Sequence, residues 1–164
     1  MALQHPVPDE HLKQIGDITV SFALLESCIQ TLAQSLLGVG QRLGQVVTAE
    51  LSFKGLRALT VSLYLRQIGE DEHLEAFREL IRRAGDIEAK RNQITHSLWG
   101  AGAEVESITR FKTTAKEKHG ICFHFESVTS QQLAEFAQEI KVLAGDVQKF
   151  WILLVQTGKA NASY

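Results

Sequence analysis

The sequence has few of the residues that build disulfide frameworks or metal centres. Its 164 residues include two cysteines, two prolines and one methionine. Cys28 and Cys122 are too few and too far apart to indicate a disulfide framework or a zinc site. The first ten residues have neither a basic nor an apolar signal region, and no apolar run reaches the length of a membrane span. The sequence therefore predicts a reduced, cytoplasmic location without a membrane contact.

The sequence also lacks a large excess of either charge and lacks the common catalytic motifs. Lysine and arginine number 17 against 19 acidic residues, which gives a formal net charge of −2. A protein that coats nucleic acid is usually basic overall, so any contact with a polyanion must come from a local patch. The sequence has no HExxH, GxGxxG, GxSxG or phosphate-loop motif, and its histidines lack the spacing of metal ligands. Neither a metal nor a cofactor is predicted.

What the sequence does have is an apolar content of 45%, much of it in helical periodicity. The clearest helix is predicted from about residue 9 to Gly38, because its apolar residues recur at spacings of three and four. This seam consists of Ile15, Ile18, Phe22, Leu25, Ile29, Leu32 and Leu36. A second helix is predicted from about Gly44 to Ile68, with an inward face of Val47, Leu51, Leu59, Leu63 and Ile68.

The third helix is predicted from about Glu72 to Trp99, and Gly100 and Gly102 end it. Thr129 and Gln132 form a predicted capping box, which opens a fourth helix. The inward residues of this fourth helix are Leu133, Phe136, Ile140, Leu143, Val147, Phe150, Trp151 and Leu154.

Short β-like runs lie between the third and fourth helices, at residues 103–126. They are Val105, Ile108 and Phe111 before the polar connection 113–120, and Ile121, Phe123 and Phe125 after it. The predicted fold is mainly α: a four-helix up-and-down bundle with a small β-hairpin inserted between the third and fourth helices. Residues 9–157 are predicted to form one domain, and the tail 158–164 is predicted to be disordered.

The stretch Arg91-Asn92-Gln93-Ile94-Thr95-His96 places a cation on the apolar face of the third helix. At 100° per residue, Arg91 falls at the centre of a stripe that contains Ile87 and Ile94. Burying an unpaired guanidinium is costly, so such an arginine is paired, lines a cleft or lies at a subunit interface. Asn92 and His96 fan out from the edge of the same stripe.

A helical bundle with Arg-Asn-x-x-x-His on its third helix resembles the HEPN superfamily. Many members are metal-independent RNA endonucleases in which a histidine follows an arginine after four to six residues. Arg91, Asn92 and His96 match this pattern. Arg66 and His73 also match its spacing, but the predicted turn at Gly69 separates them. The resemblance covers roughly residues 9–157, and the hairpin is an insertion.

The resemblance implies that Arg91, Asn92 and His96 are catalytic and that two copies of the motif meet across a homodimer. It also implies RNA as a substrate or ligand and a role as the toxin part of a defence or stress module. Family partners include small antitoxins and nucleotidyltransferase-like proteins. Two acidic residues, Glu26 and Glu88, are predicted to support the site, since either can pair with Arg91. Glu26 can orient Arg91 in an active site or neutralise it in an inert one.

A local basic run on the hairpin is predicted to steer a phosphate backbone towards the site. It consists of Arg110, Lys112, Lys116 and Lys118. The alternative is a solvated hairpin tip without a ligand. Trp99, Phe111, Phe123 and Trp151 are suited to stacking on bases, although packing in the core is the default for each.

Two further hypotheses remain open from the sequence. One is a non-catalytic helical module that binds protein or nucleotide and keeps Arg91 as a structural, salt-bridged residue. The other is an unrelated helical bundle in which the motif occurs by chance.

Overall fold

The structure, a computed structural model, describes residues 5–102, 106–116 and 120–162 and is mainly helical. For residues 114–116, 120 and 121 the description covers the backbone. Within these ranges five helices and three strands follow one another in this order: α1 (Asp9–Leu37), α2 (Gln41–Thr48), α3 (Phe53–Gln67), α4 (Leu74–Thr95), β1 (Leu98–Ala101), β2 (Ser107–Lys116), β3 (Gly120–Thr129) and α5 (Ser130–Gln156).

The contacts within the chain divide it into two compact units. Unit 1 consists of residues 1–21 and 89–139, and therefore holds the three strands and the C-terminal part of α4. Unit 2 consists of residues 22–88 and 140–164 and holds α2 and α3.

Unit 2 is built around apolar side chains from four helices. Tyr64 stacks on Phe77 with 4.2 Å between the ring centroids, and Phe150 lies 5.9 Å from Phe77. The predicted seams of the first and last helices are confirmed at most positions, because most of their members are buried as the periodicity requires. Ile15 and Trp151 differ from the prediction and are only half-buried. The buried members that lie in unit 2 are Phe22, Leu25, Ile29, Leu32 and Leu36 of α1, and Ile140, Leu143, Val147, Phe150 and Leu154 of α5.

The prediction of one long second helix is wrong, because the chain forms α2 and α3 with a break at residues 49–52. The side chain of Ser52 accepts a hydrogen bond of 3.1 Å from the backbone N–H of Gly55 and so starts α3 as a separate helix. The restart changes the helical phase, and Val47 and Leu51 of the predicted inward face are exposed. The residues that α3 buries are instead Phe53, Leu56, Thr60 and Tyr64.

The third helix ends earlier than predicted. α4 stops at Thr95, and Trp99 lies in β1 instead of in the helix. The Trp99 indole N–H donates a hydrogen bond of 3.0 Å to the carbonyl oxygen of Ile94. It thereby satisfies one of the carbonyls that a helix leaves without a partner at its C-terminal end.

The predicted hairpin is present, with longer strands, and β1 extends it to a three-stranded antiparallel sheet in the order β1-β2-β3. Leu98 pairs with Phe111 and Phe111 with Phe125, so these three side chains share one face. Ile108 lies on the opposite face and is completely buried.

The capping box at the start of α5 is confirmed. The backbone N–H of Thr129 donates to the side-chain oxygen of Gln132 at 2.9 Å, and the backbone N–H of Gln132 donates to the hydroxyl of Thr129 at 3.2 Å. This reciprocal pair fixes the passage from β3 into α5.

The tail after α5 was predicted to be disordered, but its described residues make specific contacts in unit 2. The backbone N–H of Asn161 donates to the carbonyl oxygen of Ser35 at 3.2 Å, and Lys159 forms an ion pair with Asp71 at 2.7 Å. Residues 163 and 164 lie outside the described residues.

Among the described helices, α1 has the length and the apolar composition that a helix needs to cross a membrane. Within its most apolar stretch of 18 residues, 44% is buried inside the protein. The core helix of a soluble protein and a signal sequence both have this character.

Candidate functional site

The C-terminal end of α4 carries the Arg-Asn-x-x-x-His motif. Asn92 lies in the last turns of the helix, and His96 follows directly after the helix ends. The backbone N–H of His96 still donates to the carbonyl oxygen of Asn92 at 3.1 Å, so the two residues lie one turn apart. Their side chains therefore point to similar sides of the chain.

A groove of about 440 Å³ in unit 1 brings Asn92 and His96 together with the middle of β2. β1 begins at Leu98 opposite Phe111, so the residues just before Leu98 lie beside the next residues of β2. The groove is lined by Asn92, Gln93, His96, Ser97, Phe111, Lys112 and Thr113. Among these described lining residues two carry or can carry positive charge, and none is acidic.

His96 is exposed, and so is Lys112. An accessible imidazole can exchange protons with a ligand near neutral pH, and a lysine amine is a mobile point charge suited to phosphate. Asn92 is half-buried and offers both a donor and an acceptor. The groove therefore has the chemistry to hold an anion next to a proton-transfer group.

Arg91 is not among the described residues that line this groove. It is half-buried, and its Nε atom lies out of contact with solvent. The neighbouring residues on the stripe, Ile87 and Ile94, are buried as predicted. The three motif residues are thus divided: Asn92 and His96 share the groove, whereas Arg91 lies outside its described lining, on the apolar side of the same helix.

The two predicted supporting acids lie in unit 2. Glu88 forms an ion pair of 2.8 Å with Arg57, and both side chains are about four-fifths buried. Glu26 lines a separate recess of about 250 Å³ together with residues of α1 and the α2–α3 connection. The sequence pattern does not reveal the role of Arg57, because Arg57 and Glu88 lie 31 positions apart and on different helices.

Of the predicted basic run, Lys112 lies in the groove and Arg110 does not. Arg110 donates to the carboxylate of Glu126 on the neighbouring strand, with Nε at 2.9 Å and Nη2 also in contact. Its side chain is only 13% exposed, so it joins two strands instead of presenting a free cation. The side chain of Lys116 and the whole of Lys118 lie outside the described residues.

A second polar cluster, which sequence reasoning did not find, lies in unit 2. The Asp71 carboxylate accepts hydrogen bonds from the Tyr64 hydroxyl at 2.6 Å, the His73 backbone N–H at 3.1 Å and the Lys159 amine at 2.7 Å. Asp71, Glu72 and His73 offer ligand atoms that all lie within 4.8 Å of one another, as a metal site would need. Lys159 also contacts Glu72 at 3.2 Å and so supplies the positive charge there.

The hydrogen bonds change the acidity of this cluster. Burial opposes ionisation of the Asp71 carboxyl, but the hydrogen bonds from Lys159 and Tyr64 outweigh it and lower its pKa to about 2. Burial, followed by the hydrogen bond to Asp71, raises the pKa of Tyr64. The cluster is thus a pairing of opposite charges that joins Lys159, after the end of α5, to the residues just before α4 within unit 2.

Comparison of the chain with protein-family models, curated proteins and solved structures finds no match.

Proposed function

We propose that the protein is a HEPN-like, metal-independent RNA endonuclease that acts as a homodimer. The observation that carries this proposal is the groove in which His96, Asn92 and Lys112 come together without an acidic residue among the described lining. A polyanion is the ligand that such a surface favours. The proposal includes a HEPN-type up-and-down arrangement of the four long helices and a cytoplasmic location.

The chemistry of the proposed reaction is an attack by the RNA 2′-oxygen on the adjacent phosphorus. A base removes the 2′-hydroxyl proton, the new P–O2′ bond forms, and the bond from phosphorus to the 5′-oxygen breaks. An acid gives that 5′-oxygen a proton, so the step needs no other reactant. His96 suits both proton transfers, while Lys112 and Asn92 hold the phosphate oxygens.

A single copy supplies one imidazole to this reaction, which needs a base and an acid. Two copies of the chain would bring two His96 side chains to one phosphate. Ile87 and Ile94 are already buried within one copy, so Arg91 would have to reach the phosphate from the edge of that face. There its planar fork would suit the crowded phosphate oxygens. The dimer is therefore part of the proposed mechanism.

A second candidate function is a non-catalytic helical module that binds protein or nucleotide. The position of Arg91 favours it, because a half-buried arginine with a shielded Nε is well suited to a structural role. In that case the groove would bind an anion without any reaction, and His96 would not act as an acid or a base.

The proposed role of the protein is that of a toxin in a defence or stress module. Its partner would be an antitoxin, such as a nucleotidyltransferase-like protein, that covers the groove until the toxin is released. This part of the proposal depends on the RNA cleavage that the following experiment measures.

Cleavage of total RNA in the presence of EDTA separates the two candidates. We expect the wild type to cut RNA without a divalent metal and His96→Ala to cut it at least about 100-fold more slowly, the usual contribution of a proton-transfer group. Because His96 is exposed, the variant should melt at the wild-type temperature. His5→Ala, which removes an exposed histidine outside the groove, is the matched control and should retain full activity. Equal cleavage by His96→Ala would refute the assignment.

A further inference from the structure

The outer face of the sheet carries an exposed apolar patch that the proposed reaction does not explain. We call it the aromatic face, and it consists of Leu98, Phe111, Phe123 and Phe125. Leu98 is 75% exposed, and Phe123 and Phe125 are each 67% exposed. Large apolar side chains grouped at this exposure usually mark a binding surface, because leaving them in water is unfavourable.

The aromatic face begins at the groove. Phe111 lines the groove beside Lys112, and its ring meets that of Phe125 edge-on at 5.4 Å between centroids. Phe123 pairs across the strands with Thr113, another residue of the groove wall. The groove and the aromatic face therefore share Phe111 and Thr113, whereas Lys112, which pairs with His124, belongs to the other face of β2 and borders the groove from that side.

This combination fits one ligand chemistry better than others. Single-stranded nucleic acid binds where a positive groove follows the backbone and exposed aromatic rings receive the bases. In a duplex the bases are paired and stacked inside, so they cannot reach such rings. A wholly apolar partner would make no complementary interaction with His96 and Lys112 in the neighbouring groove.

We propose that the aromatic face is a stacking site for unpaired bases of the RNA whose phosphate occupies the groove, with Phe123 and Phe125 as the stacking rings. This inference rests on the proposed function for the identity of the ligand. It adds a specificity: the protein selects unpaired segments of RNA and does so through residues outside the motif.

The test measures RNA binding by fluorescence anisotropy in EDTA, with every protein carrying His96→Ala so that the RNA stays intact. The probes are an unstructured single strand, the corresponding duplex, and an abasic strand of the same length, which keeps the phosphates and lacks the bases. We expect the single strand to bind most tightly. Losing both rings in Phe123→Ala/Phe125→Ala should weaken its binding roughly 100-fold, or about tenfold for each ring.

Two further variants distinguish stacking from mere apolar contact. Phe123→Tyr/Phe125→Tyr should bind like the parent protein, whereas Phe123→Leu/Phe125→Leu keeps the apolar area and should still lose most of the affinity. Val46→Ala removes an exposed apolar side chain of unit 2, 73% exposed, and should change nothing.

Tight binding by the leucine variant, or equal binding of the abasic strand, would overturn the proposal. So would a change from dimer to monomer in the alanine variant, measured by light scattering, because the face would then be an interface between copies. The proposed function fails separately. If wild type does not cut RNA but binds single strands through these rings, only the nuclease proposal is lost. If the alanine variant, with His96 restored, cuts single-stranded RNA at the wild-type rate, only the stacking site is lost.

Discussion

At the scale of single residues, the motif Arg-Asn-x-x-x-His separates into two environments. His96 and Asn92 lie in a groove with Lys112, where a ligand can reach them. Arg91 is half-buried on the apolar side of the same helix. A ligand bound to one copy would therefore contact the histidine first, and Arg91 would depend on a second copy or on a conformational change to act on it.

The Asp71 carboxylate makes stability depend on pH. Its pKa falls from an ordinary value of 3.8 to about 2 in the folded protein. A carboxyl with a lowered pKa stabilises the fold above the unfolded value, and this contribution, on the order of 2 kcal/mol, is lost as the pH falls from about 4 to about 2. We expect Asp71→Asn to lower the free energy of unfolding at pH 7 and to flatten its decline over that acid range.

Urea unfolding at a series of pH values measures this effect. Glu75→Gln is the control, since Glu75 pairs with Arg78 at an exposed position on one helix and such pairs contribute little. Its curve should follow that of the wild type. Parallel curves for Asp71→Asn and the wild type would show that Lys159 and Tyr64 do not stabilise the ionised carboxylate.

At the scale of elements, the Phe111 ring of β2 packs closely over the backbone of β1 at Gly100. A Cβ atom at this position would lie 2.4 Å from Cε2 of Phe111, so the ring would have to move. We expect Gly100→Ala to lower the free energy of unfolding by about 1–3 kcal/mol, the usual cost of overpacking. It should also weaken RNA binding, because Phe111 joins the groove to the aromatic face.

Gly16→Ala is the matched control for this prediction. Gly16 lies within α1 with nothing within 4 Å of its added Cβ, so alanine should stabilise the helix by up to about 1 kcal/mol. Thermal unfolding of the two variants measures the contrast. Equal melting temperatures for Gly100→Ala and the wild type would mean that Phe111 does not need the space.

The elements also show what the sequence was able to predict. The longest helices, α1 and α5, have long apolar seams, and periodicity alone predicts most of their buried residues; Ile15 and Trp151 are the members that are only half-buried. The break between α2 and α3 depends on one cap at Ser52, whose hydrogen bond a periodic pattern does not reveal. The periodic pattern predicts Leu98 and Trp99 as the end of a helix because they suit either structure, and only pairing with β2 makes them part of a strand.

In the candidate site, too, local features can be predicted from the sequence and long-range contacts cannot. Asn92 and His96 were found because their spacing is local to one helix turn. The link to β2, the pairing of Arg57 with Glu88, and the contact of Lys159 with Asp71 were not, since each joins distant parts of the sequence. The spacing of residues on one helix can be read from the sequence, whereas contacts between distant residues depend on how the whole backbone folds.

At the scale of the whole molecule, the proposed chemistry requires two copies. One chain has a mass of 18.2 kDa, and we expect light scattering after gel filtration to give twice this mass at the concentrations at which RNA is cut. Dilution should reduce the specific activity in parallel with the dimer fraction, because an isolated copy lacks the second imidazole. Full activity of a monomer would contradict the shared site, and His5→Ala should dimerise like the wild type.

The chemical identity of the RNA ends tests the central claim most directly, since the groove is proposed to transfer protons without a metal. After incubation of a defined RNA with the wild type in EDTA, attack by the 2′-oxygen should leave a 2′,3′-cyclic phosphate on one fragment and a 5′-hydroxyl on the other. Mass spectrometry of the fragments distinguishes these ends from the alternatives. Fragments that carry a 5′-phosphate and a 3′-hydroxyl would contradict the account. So would a wild-type digest that contains no fragments, or one in which every fragment also appears with His96→Ala.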